Sequence, residues 1–387
     1  MLVPFQTLGI SQSVYEPLWA GSLLLDDQFA RKLPQYSHED AAFLGWDRAG
    51  SSGGAGRETI DDWINNGLGR RLVTFNHAQR PIWSGFANLV RAQVGPASYS
   101  AGPLLGVTNR GSVMFSRLYD DVSPPVVGSG ESTPIAEDAD SQLRYGILET
   151  VWNGGTMTLE NAEQQRDILL EERRLPDKSQ ESANLPGEGT LSIEWLGFVH
   201  FLGRYVYNDL TNLTTTVSDK LLDVLAAEPN GLFSGDYSQV AENLFLTTAY
   251  EDQNRYGLDI LQSLTALGDI NLSRHLFMVR AKERIYYRPI PASTEVAYLQ
   301  YLTDYGHEYR LAGNNAVVQP WDLEPGKWLL IADFAPYSPQ PYGKKNLRLQ
   351  FIERVSFSTP RAVRLAGAKV EAGPQLLAQL GLGGMSG

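Results

Sequence analysis

The stretch LSIEWLGFVHFLGRYVY, residues 191–207, carries the clearest secondary-structure signal in the chain. Small or polar residues at Ser192, Glu194 and Gly197 interrupt a run of aliphatic and aromatic side chains. Such alternation of large apolar residues with polar ones is typical of a strand that buries one face. The stretch therefore predicts β-structure from Leu191 to Tyr207.

Composition extends this prediction to the rest of the chain. The 387 residues include 18 Tyr, 14 Phe and 8 Trp, which pack well on pleated sheets, and also 37 Gly and 21 Pro. The hydrophobic fraction of 43% is enough for real cores and excludes wholesale disorder. We predict an α+β fold that is mainly β, with about two to four domains.

Local signals predict four helices and two hairpins between strands. The first helix starts with the Thr59/Asp62 capping box and stops at Gly67, and the second is Glu160–Arg174, which Thr158 caps. The third is Thr216–Glu228, which starts with the Thr216/Asp219 capping box, and the fourth is Leu258–Leu267, which ends at Gly268. The hairpins pair Arg71–Phe75 with Pro81–Phe86, and His275–Arg280 with Ile285–Ile290.

Further strands and loops complete the expected order of elements. Residues 121–142 are acidic and rich in proline and glycine, which predicts a linker or an exposed loop. Strands are predicted at Tyr145–Trp152 (before a turn at residues 153–155), Lys327–Phe334, Leu347–Phe357 and Val363–Leu365, with a short helix in 373–387.

The charge of the chain limits its partners. A formal net charge of -12 disfavours wrapping nucleic acid from outside, although a smooth acidic channel for DNA is compatible with it. Basic residues concentrate in the last third, at Lys344, Lys345, Arg348, Arg354, Arg361, Arg364 and Lys369. They indicate either a basic surface that meets an acidic neighbour or a solvated strand face.

No residue pattern predicts a metal or cofactor site. The chain has no cysteine, which removes disulfides and thiolate metal sites. Its histidines, which show no metal-binding spacing, are His38, His77, His200, His275 and His307. We also see no signal peptide and no apolar run long enough for a membrane span, so we expect a soluble protein.

Catalytic candidates each have a simpler explanation. Ser98 lacks the glycine spacing of a hydrolase nucleophile. The pairs Asp61-Asp62 and Asp120-Asp121 leave a sugar-cleaving site open, but a helix N-terminus explains the first pair. The tyrosines at 286, 287, 298, 301, 305 and 309 indicate a core or a subunit interface rather than an aromatic surface that binds sugar rings. We predict no catalytic, cofactor-binding or metal residues, and no enzyme.

Three regions of the chain resemble a known family. The first runs from Tyr36-Ser37-His38 through Gly67-Leu68-Gly69-Arg70 to Ile82-Trp83-Ser84-Gly85-Phe86. The second is the helix Glu160–Arg174 with the following strand, including Gly197-Phe198-Val199-His200 and Tyr207-Asn208. The third runs from Gly257-Leu258-Asp259-Ile260-Leu261 to Tyr286-Tyr287-Arg288-Pro289. Together they resemble the baseplate-hub and tail-tip proteins of tailed phages and prophages.

The resemblance implies an architecture of two tail-tube-like β domains with additional α+β domains. It places the first tube-like domain at residues 1–119, an α+β domain with the acidic linker at 120–190, and strands of the second tube-like domain at 191–215. A helical and hairpin insertion would follow at 216–290, and the rest of the second tube-like domain with a C-terminal extension at 291–387. A weak echo, helix then hairpin near 59–90 and again near 257–291, fits two related domains.

The resemblance also implies a function. Three copies would form a ring that joins the six-fold tail tube to a three-fold tip or spike, and DNA would pass through its lumen without specific binding during ejection. Partners would be a tail-tube or distal-tail protein and a tip, spike or fibre protein. The protein would be part of the virion tail, assembled in the host cytoplasm. Two alternatives stay open: a hexameric distal-tail ring protein, and a carbohydrate-binding or carbohydrate-cleaving tail protein.

Overall fold

The computed structural model describes the backbone of residues 7–13, 20–26, 60–75, 81–178, 189–208, 215–233, 235–247, 254–271, 275–280, 284–289, 296–302, 306–311, 317–318, 328–332, 347–352, 354–358, 362–366 and 369–371. Side chains are described for residues 63–71, 84–178, 190–208, 215–233, 235–247, 254–271, 275–280, 284–289 and 352. Among these residues, no helix combines the length and the apolar character needed to cross a membrane. The helix predicted in 373–387 lies outside the described residues.

The elements confirm a mainly β chain with helices. The strands are β1 (Thr7–Ser13), β2 (Ala20–Asp26), β3 (Arg71–Phe75), β4 (Pro81–Val94), β5 (Ala97–Ala101), β6 (Arg110–Tyr119), β7 (Val126–Ser132), β8 (Ala136–Glu137), β9 (Glu149–Met157), β10 (Gly189–Gly197), β11 (Val206–Tyr207), β12 (Thr215–Thr216), β13 (Gln239–Val240), β14 (Leu246–Thr247), β15 (Arg255–Tyr256), β16 (His275–Val279), β17 (Ile285–Pro289), β18 (Val296–Leu302), β19 (Gly306–Leu311), β20 (Val317–Val318), β21 (Trp328–Ala332), β22 (Leu347–Phe351), β23 (Arg354–Ser358), β24 (Ala362–Ala366) and β25 (Lys369–Glu371). The α-helices are α1 (Ile60–Asn66), α2 (Ala139–Tyr145), α3 (Leu159–Arg173), α4 (Val217–Ala226) and α5 (Gly257–Leu267).

An eight-stranded antiparallel sheet joins segments from the whole length of the chain. Its strand order is β24-β23-β1-β2-β10-β4-β3, with β5 also paired to β4. Gly9 of β1 faces Ser358 of β23, so strands near opposite ends of the sequence are neighbours. The strand β10, which comes from the stretch that opened the sequence analysis, lies between β2 and β4.

A six-stranded sheet holds most of the C-terminal strands, in the order β20-β19-β18-β21-β22-β25. The predicted single strand Leu347–Phe357 is wrong, because it divides into β22 of this sheet and β23 of the eight-stranded sheet. Where the chain passes from β22 to β23, Phe351-Ile352 is followed by Glu353-Arg354, which interrupts the alternation of apolar and polar residues. Ile352 is fully buried at this crossing.

A small α+β unit is built around β6. This strand pairs with β7 and β8 in antiparallel fashion and with β9 in parallel fashion, as expected when a helical segment connects the two parallel strands. Helix α3 covers the sheet, with Ala162 packed against Val113 and Phe115. Thr158 caps α3 by accepting a hydrogen bond from the Asn161 backbone N–H, as the sequence predicted.

The largest described core lies between β4, the 3-10 helix Phe198–Arg204, helices α4 and α5, and the β16–β17 hairpin. Phe86 contacts Phe201 with ring centroids 4.8 Å apart. Helix α5 approaches the 3-10 helix closely at Gly257, where a Cβ atom would lie 2.8 Å from the Tyr205 ring. The predicted helices α4 and α5 and the hairpin β16–β17 are all confirmed within a few residues.

The prediction of strand throughout Leu191–Tyr207 is wrong in its second half. The strand ends at Gly197, and Phe198–Arg204 form a 3-10 helix before the short strand β11. Phe198, Val199, Phe201 and Leu202 are all buried. Branched and aromatic residues favour strands on average, but here the same residues are buried in the core as part of a 3-10 helix.

The acidic stretch 121–142 is not simply a linker, because it contains β7, β8 and the start of α2. Nearly every residue of β7 is solvent-exposed, so no apolar alternation marked it in the sequence. The strand predicted at Tyr145–Trp152 is shifted, since Tyr145 ends α2 and the strand is β9. Residues 153–155 form a bulge within β9 rather than a turn, with Gly154 left out of the pairing.

The sheets divide the chain differently from the predicted domain boundaries. Strand β6 precedes the boundary at 119/120 but belongs with β7, β8 and β9. Strand β10, assigned to a second tube-like domain beginning at 191, lies in the same sheet as β1–β5. Sheet partners come from distant segments, and spacing along the sequence does not reveal them.

Candidate functional site

Asn109 is a fully buried asparagine whose polar atoms all bond within the protein. Its side-chain Nδ2 donates to the Gly146 carbonyl (2.6 Å) and to Ser141 Oγ (3.3 Å). Its Oδ1 accepts from the Leu148 N–H (2.8 Å), and its backbone carbonyl accepts from the Asp138 N–H (2.9 Å). Asn109 therefore ties both ends of α2 to the start of β6.

Glu149 is a buried carboxylate that joins the α+β unit to the main core. Its Oε2 accepts a hydrogen bond from the Val206 N–H (2.9 Å), and its Oε1 lies 3.6 Å from Arg110 Nε. Burial raises the pKa of Glu149, while the Val206 bond and Arg110 oppose that rise. The bond anchors β11 beside β9, which is a structural task.

Glu228 is buried at the end of α4 and organises the turn that follows. It accepts hydrogen bonds from the Leu232 N–H (3.0 Å) and from Asn230 Nδ2 (2.7 Å). Asn230 in turn exchanges hydrogen bonds with the backbone of Ile147. Burial raises the pKa of Glu228. The turn thereby links α4 to the loop between α2 and β9.

Asn243 performs the same kind of bridging between α5 and the β16–β17 hairpin. Its Nδ2 donates to the Gly268 carbonyl and to the Tyr287 hydroxyl, each at 2.9 Å, and its Oδ1 accepts from the Phe245 N–H. Burial raises the pKa of Tyr287 to about 12. The phenol is neutral over the physiological range and cannot act as a base there.

His200 is a partly buried residue of the 3-10 helix. Its Nε2 atom is shielded from solvent and has no hydrogen-bond partner among the described residues, and burial lowers the pKa of the imidazole to about 4. The ring is therefore neutral at pH 7. The sequence predicted a strand residue at this position, and the structure corrects that to a residue packed on a helical turn.

This lowered pKa makes the stability of the protein sensitive to acid. Between pH 6.5 and about 4 the unfolded chain binds a proton at His200 that the folded chain does not, so stability falls as the pH falls. The expected loss is about 2 kcal/mol, allowing for incomplete enclosure of the ring. Urea unfolding of the wild type and of His200→Gln at pH 7 and pH 4.5 measures it.

The comparison between these two proteins isolates His200 from other groups. The raised pKa values of Glu149 and Glu228 change the stability of the protein in the opposite direction. A carboxyl whose pKa is higher in the folded state stabilises the protein at low pH, and that stabilisation is lost as the pH rises. Both glutamates are present in the wild type and the variant, so their contributions cancel in the difference. An equal loss of stability in wild type and His200→Gln would contradict the assignment.

The structure places the other predicted histidines and carboxylates apart from one another where it describes them. His275 lies in β16, with its ring stacked on Tyr287 at a centroid distance of 4.7 Å. Among the described residues, no group of three His, Cys, Asp or Glu side chains could hold a metal ion. The side chains of His38, His77 and His307 lie outside the described residues.

The two carboxylate pairs lie in different settings. Asp61-Asp62 are in the first turn of α1, as predicted, and their side chains lie outside the described residues. Asp120-Asp121 are exposed just beyond the end of β6. Of the predicted tyrosines, Tyr286 and Tyr287 are buried in the core, while the side chains of the others are outside the described residues.

The bonded asparagines and buried glutamates were missed by the sequence analysis. A lone asparagine between elements, such as Asn109 or Asn243, suggests a turn residue, and nothing local indicates that its side chain faces inward. These groups are each satisfied by backbone partners that they hold in place. The described polar interior therefore positions elements and offers no set of groups converging on a substrate.

Comparison with known proteins gives a distant structural likeness only. No family model matches the chain, and no curated protein matches it. A tail protein from Neisseria meningitidis MC58 is similar with a TM-score of 0.39 and 8% identity, covering 95% of this chain and 92% of that one. The 43 kDa tail protein of prophage MuSo2 from Shewanella oneidensis has a TM-score of 0.37 and 8% identity, covering 94% and 93%.

A third similar structure is a component of the type VI secretion system of E. coli, described as structurally similar to the T4 bacteriophage tail proteins gp27 and gp5. Its TM-score is 0.37 and its identity 9%, and the match covers 96% of this chain and 74% of that one. All three are tail proteins or are described as similar to tail proteins. The three likenesses are distant in both sequence and structure.

Proposed function

We propose that this chain is a non-enzymatic structural subunit of a phage tail, a baseplate-hub or tail-tip protein. One observation supports the proposal most directly. The three segments that carry the family resemblance contribute to one hydrophobic core, through Phe86 of the first, Phe198 of the second and Leu258 with Tyr287 of the third. Residues that are scattered along the sequence thus build a single scaffold.

The contacts within that core support its role as the frame of the protein's shape. Phe86 and Phe198 lie with ring centroids 5.9 Å apart, which joins the first segment to the second. The Gly257 N–H donates to the Tyr205 carbonyl at 3.0 Å, which joins the third segment to the second. The buried polar groups described above hold backbone in place, as expected of a protein whose task is shape.

In this function three copies form a ring between the six-fold tail tube and a three-fold tip or spike, and the ring surrounds a DNA channel. The net charge of -12 suits a lumen through which DNA slides without sticking. Affinity would come from large interfaces between identical subunits and with the tube protein. The tail is then the site of action, and assembly occurs in the host cytoplasm.

Light scattering of the purified full chain, alone and mixed with the tail-tube subunit of the same phage, tests this function. We expect a trimer, or a monomer that becomes a trimer when tube protein is added. A six-fold ring would favour the distal-tail alternative instead. A chain that stays monomeric and never joins tube protein would contradict both ring functions.

The carbohydrate alternative needs paired carboxylates in an aromatic cleft. The described pair, Asp120-Asp121, stands exposed on a hairpin. A glycan-binding or hydrolysis signal that disappears in Asp120→Asn or Asp61→Asn would favour that alternative over the ring.

A further inference from the structure

The β6–β7 arm, defined here as residues 119–127, projects with apolar side chains on both of its faces. Val126 and Val127 are consecutive in a strand, so their side chains point to opposite faces. Both are more than half exposed, at 53% and 56%. Tyr119 and Val122 on the same arm are also exposed, at 37% and 45%. The Arg117 guanidinium lies 5.0 Å from the centroid of the Tyr119 ring, yet all four side chains stay more than a third exposed.

The arm also carries an open strand edge. Strand β7 pairs with β6 on one side, and no described strand pairs with its other side. Exposed edges of this kind are normally blunted by lysine, by proline or by a cover, because their unpaired backbone groups recruit other strands. The sequence VVGSGES of β7 contains neither lysine nor proline. Among the described residues no strand or helix covers this edge, so its backbone groups are open to a partner strand.

A second open edge lies in the C-terminal part of the chain. Strand β24, with the sequence AVRLA, pairs with β23 and is the last strand of the eight-stranded sheet as described. In the structure β7 and β24 belong to different sheets and do not pair with each other. Within the part of the chain that the structure describes, each copy thus has two different strand edges without a partner strand.

The charges around these two edges are opposite. Residues 120–140 contain no basic residue, and Asp120, Asp121 and Asp140 are exposed acids of this stretch. Its other three acids are paired within the chain, Glu131 with Arg117, Glu137 with Arg110 and Asp138 with Arg174. On the side of β24, Arg364 lies in the strand itself, Arg361 directly precedes it in the sequence and Arg354 lies in its neighbour β23, with Glu353 as the one acid of residues 344–369. Attraction between such segments steers encounter and selects the partner edge over a like-charged one. It also disfavours pairing of the arm with the arm of another copy.

We propose that β7 of one copy pairs with β24 of the next copy, extending the eight-stranded sheet across the subunit boundary. The inference rests on the proposed function, because it names the contact that builds the ring. A contact between two different surfaces is head-to-tail, and repeating it generates a closed ring when the rotation permits.

Disulfide trapping tests this pairing cleanly, because the chain has no cysteine of its own. Val127→Cys is combined in turn with Val363→Cys, with Arg364→Cys and with Leu365→Cys, which are successive positions of β24. In the register of this pairing Val127 lies opposite the middle of β24, which brings one of these three within the Cα separation of about 4.4–6.8 Å that a disulfide requires. After mild oxidation, denaturing gels without reductant are expected to show dimers and a closed trimer for at least one double variant.

Three controls define the outcome. Val127→Cys alone is expected to stay monomeric on the gel, and a dimer from it would show arm-to-arm pairing and overturn the inference. Leu143→Cys, at a side chain that is 66% exposed, replaces Val127→Cys in a matched double variant that should not cross-link. Under reducing conditions every variant must have the same mass by light scattering as the wild type.

The results separate this inference from the proposed function. A wild type that forms trimers, with no cross-link from any of the three double variants, overturns the β7–β24 pairing and leaves the ring function intact. A wild type that remains monomeric even with tube protein contradicts the function and removes the basis of the pairing. A cross-linked ladder that ends at the trimer supports both.

Discussion

Replacing Asn109 by leucine is expected to lower the free energy of unfolding by about 4 kcal/mol, because two buried backbone groups lose their partner at once. The Leu148 N–H and the Gly146 carbonyl both bond to the Asn109 side chain. Leucine has a similar size but can neither donate nor accept a hydrogen bond. Each buried group left unpaired costs about 1–3 kcal/mol, and both groups lie in the loop between α2 and β9.

Urea unfolding followed by circular dichroism measures this effect. Asn161→Leu is the matched control, since Asn161 is exposed on α3 and the same change there should alter stability by less than about 0.5 kcal/mol. A loss of under about 1 kcal/mol in Asn109→Leu would show that water or a shifted backbone satisfies these groups, and would contradict their role as a tie.

Phe201→Ala is expected to cost about 3–5 kcal/mol, through lost burial and the cavity that remains. Phe201 is fully buried and makes an edge contact with Phe86 of β4, while also stacking near Phe198 at a centroid distance of 6.5 Å. It therefore joins the second segment that carries the family resemblance, to which it belongs, to the first. We expect the whole main core, rather than one helix, to loosen.

Phe201→Leu separates the size of the side chain from its presence, and should cost only about 1–2 kcal/mol. Leu143→Ala, at an exposed position, should change stability by less than about 0.5 kcal/mol. Thermal unfolding by calorimetry gives all three values. If Phe201→Ala and Leu143→Ala had equal effects, Phe201 would not belong to the stabilising core.

The elements that the sequence predicted best are those defined by a few adjacent residues. Thr158 and Thr216 each accept a hydrogen bond from the backbone N–H three residues on, and both helices begin where the caps place them. The hairpin β16–β17 has buried strands and a short connection, so its apolar runs were visible. These interactions are local, and local sequence specifies them.

Elements that depend on distant partners were misjudged. Phe198–Arg204 has strand-like residues but winds into a 3-10 helix because α5 and β4 enclose it. Strand β7 is mostly exposed and shows no alternation, and it exists because β6 pairs with it. The polar interior follows the same rule, since the inward orientation of Asn109 depends on the loop at Gly146, 37 residues further along the chain. No pattern near residue 109 indicates that partner.

The pairing of β1 with β23 has a consequence for how the protein is made. Gly9 is synthesised 349 residues before its partner Ser358. Until then β1 has an unpaired edge on the side that β23 later occupies, and an edge of that kind invites aggregation. The slow formation of so distant a contact adds to the delay. A product truncated before residue 354 could not complete this sheet, and its β1 edge would stay open to other strands.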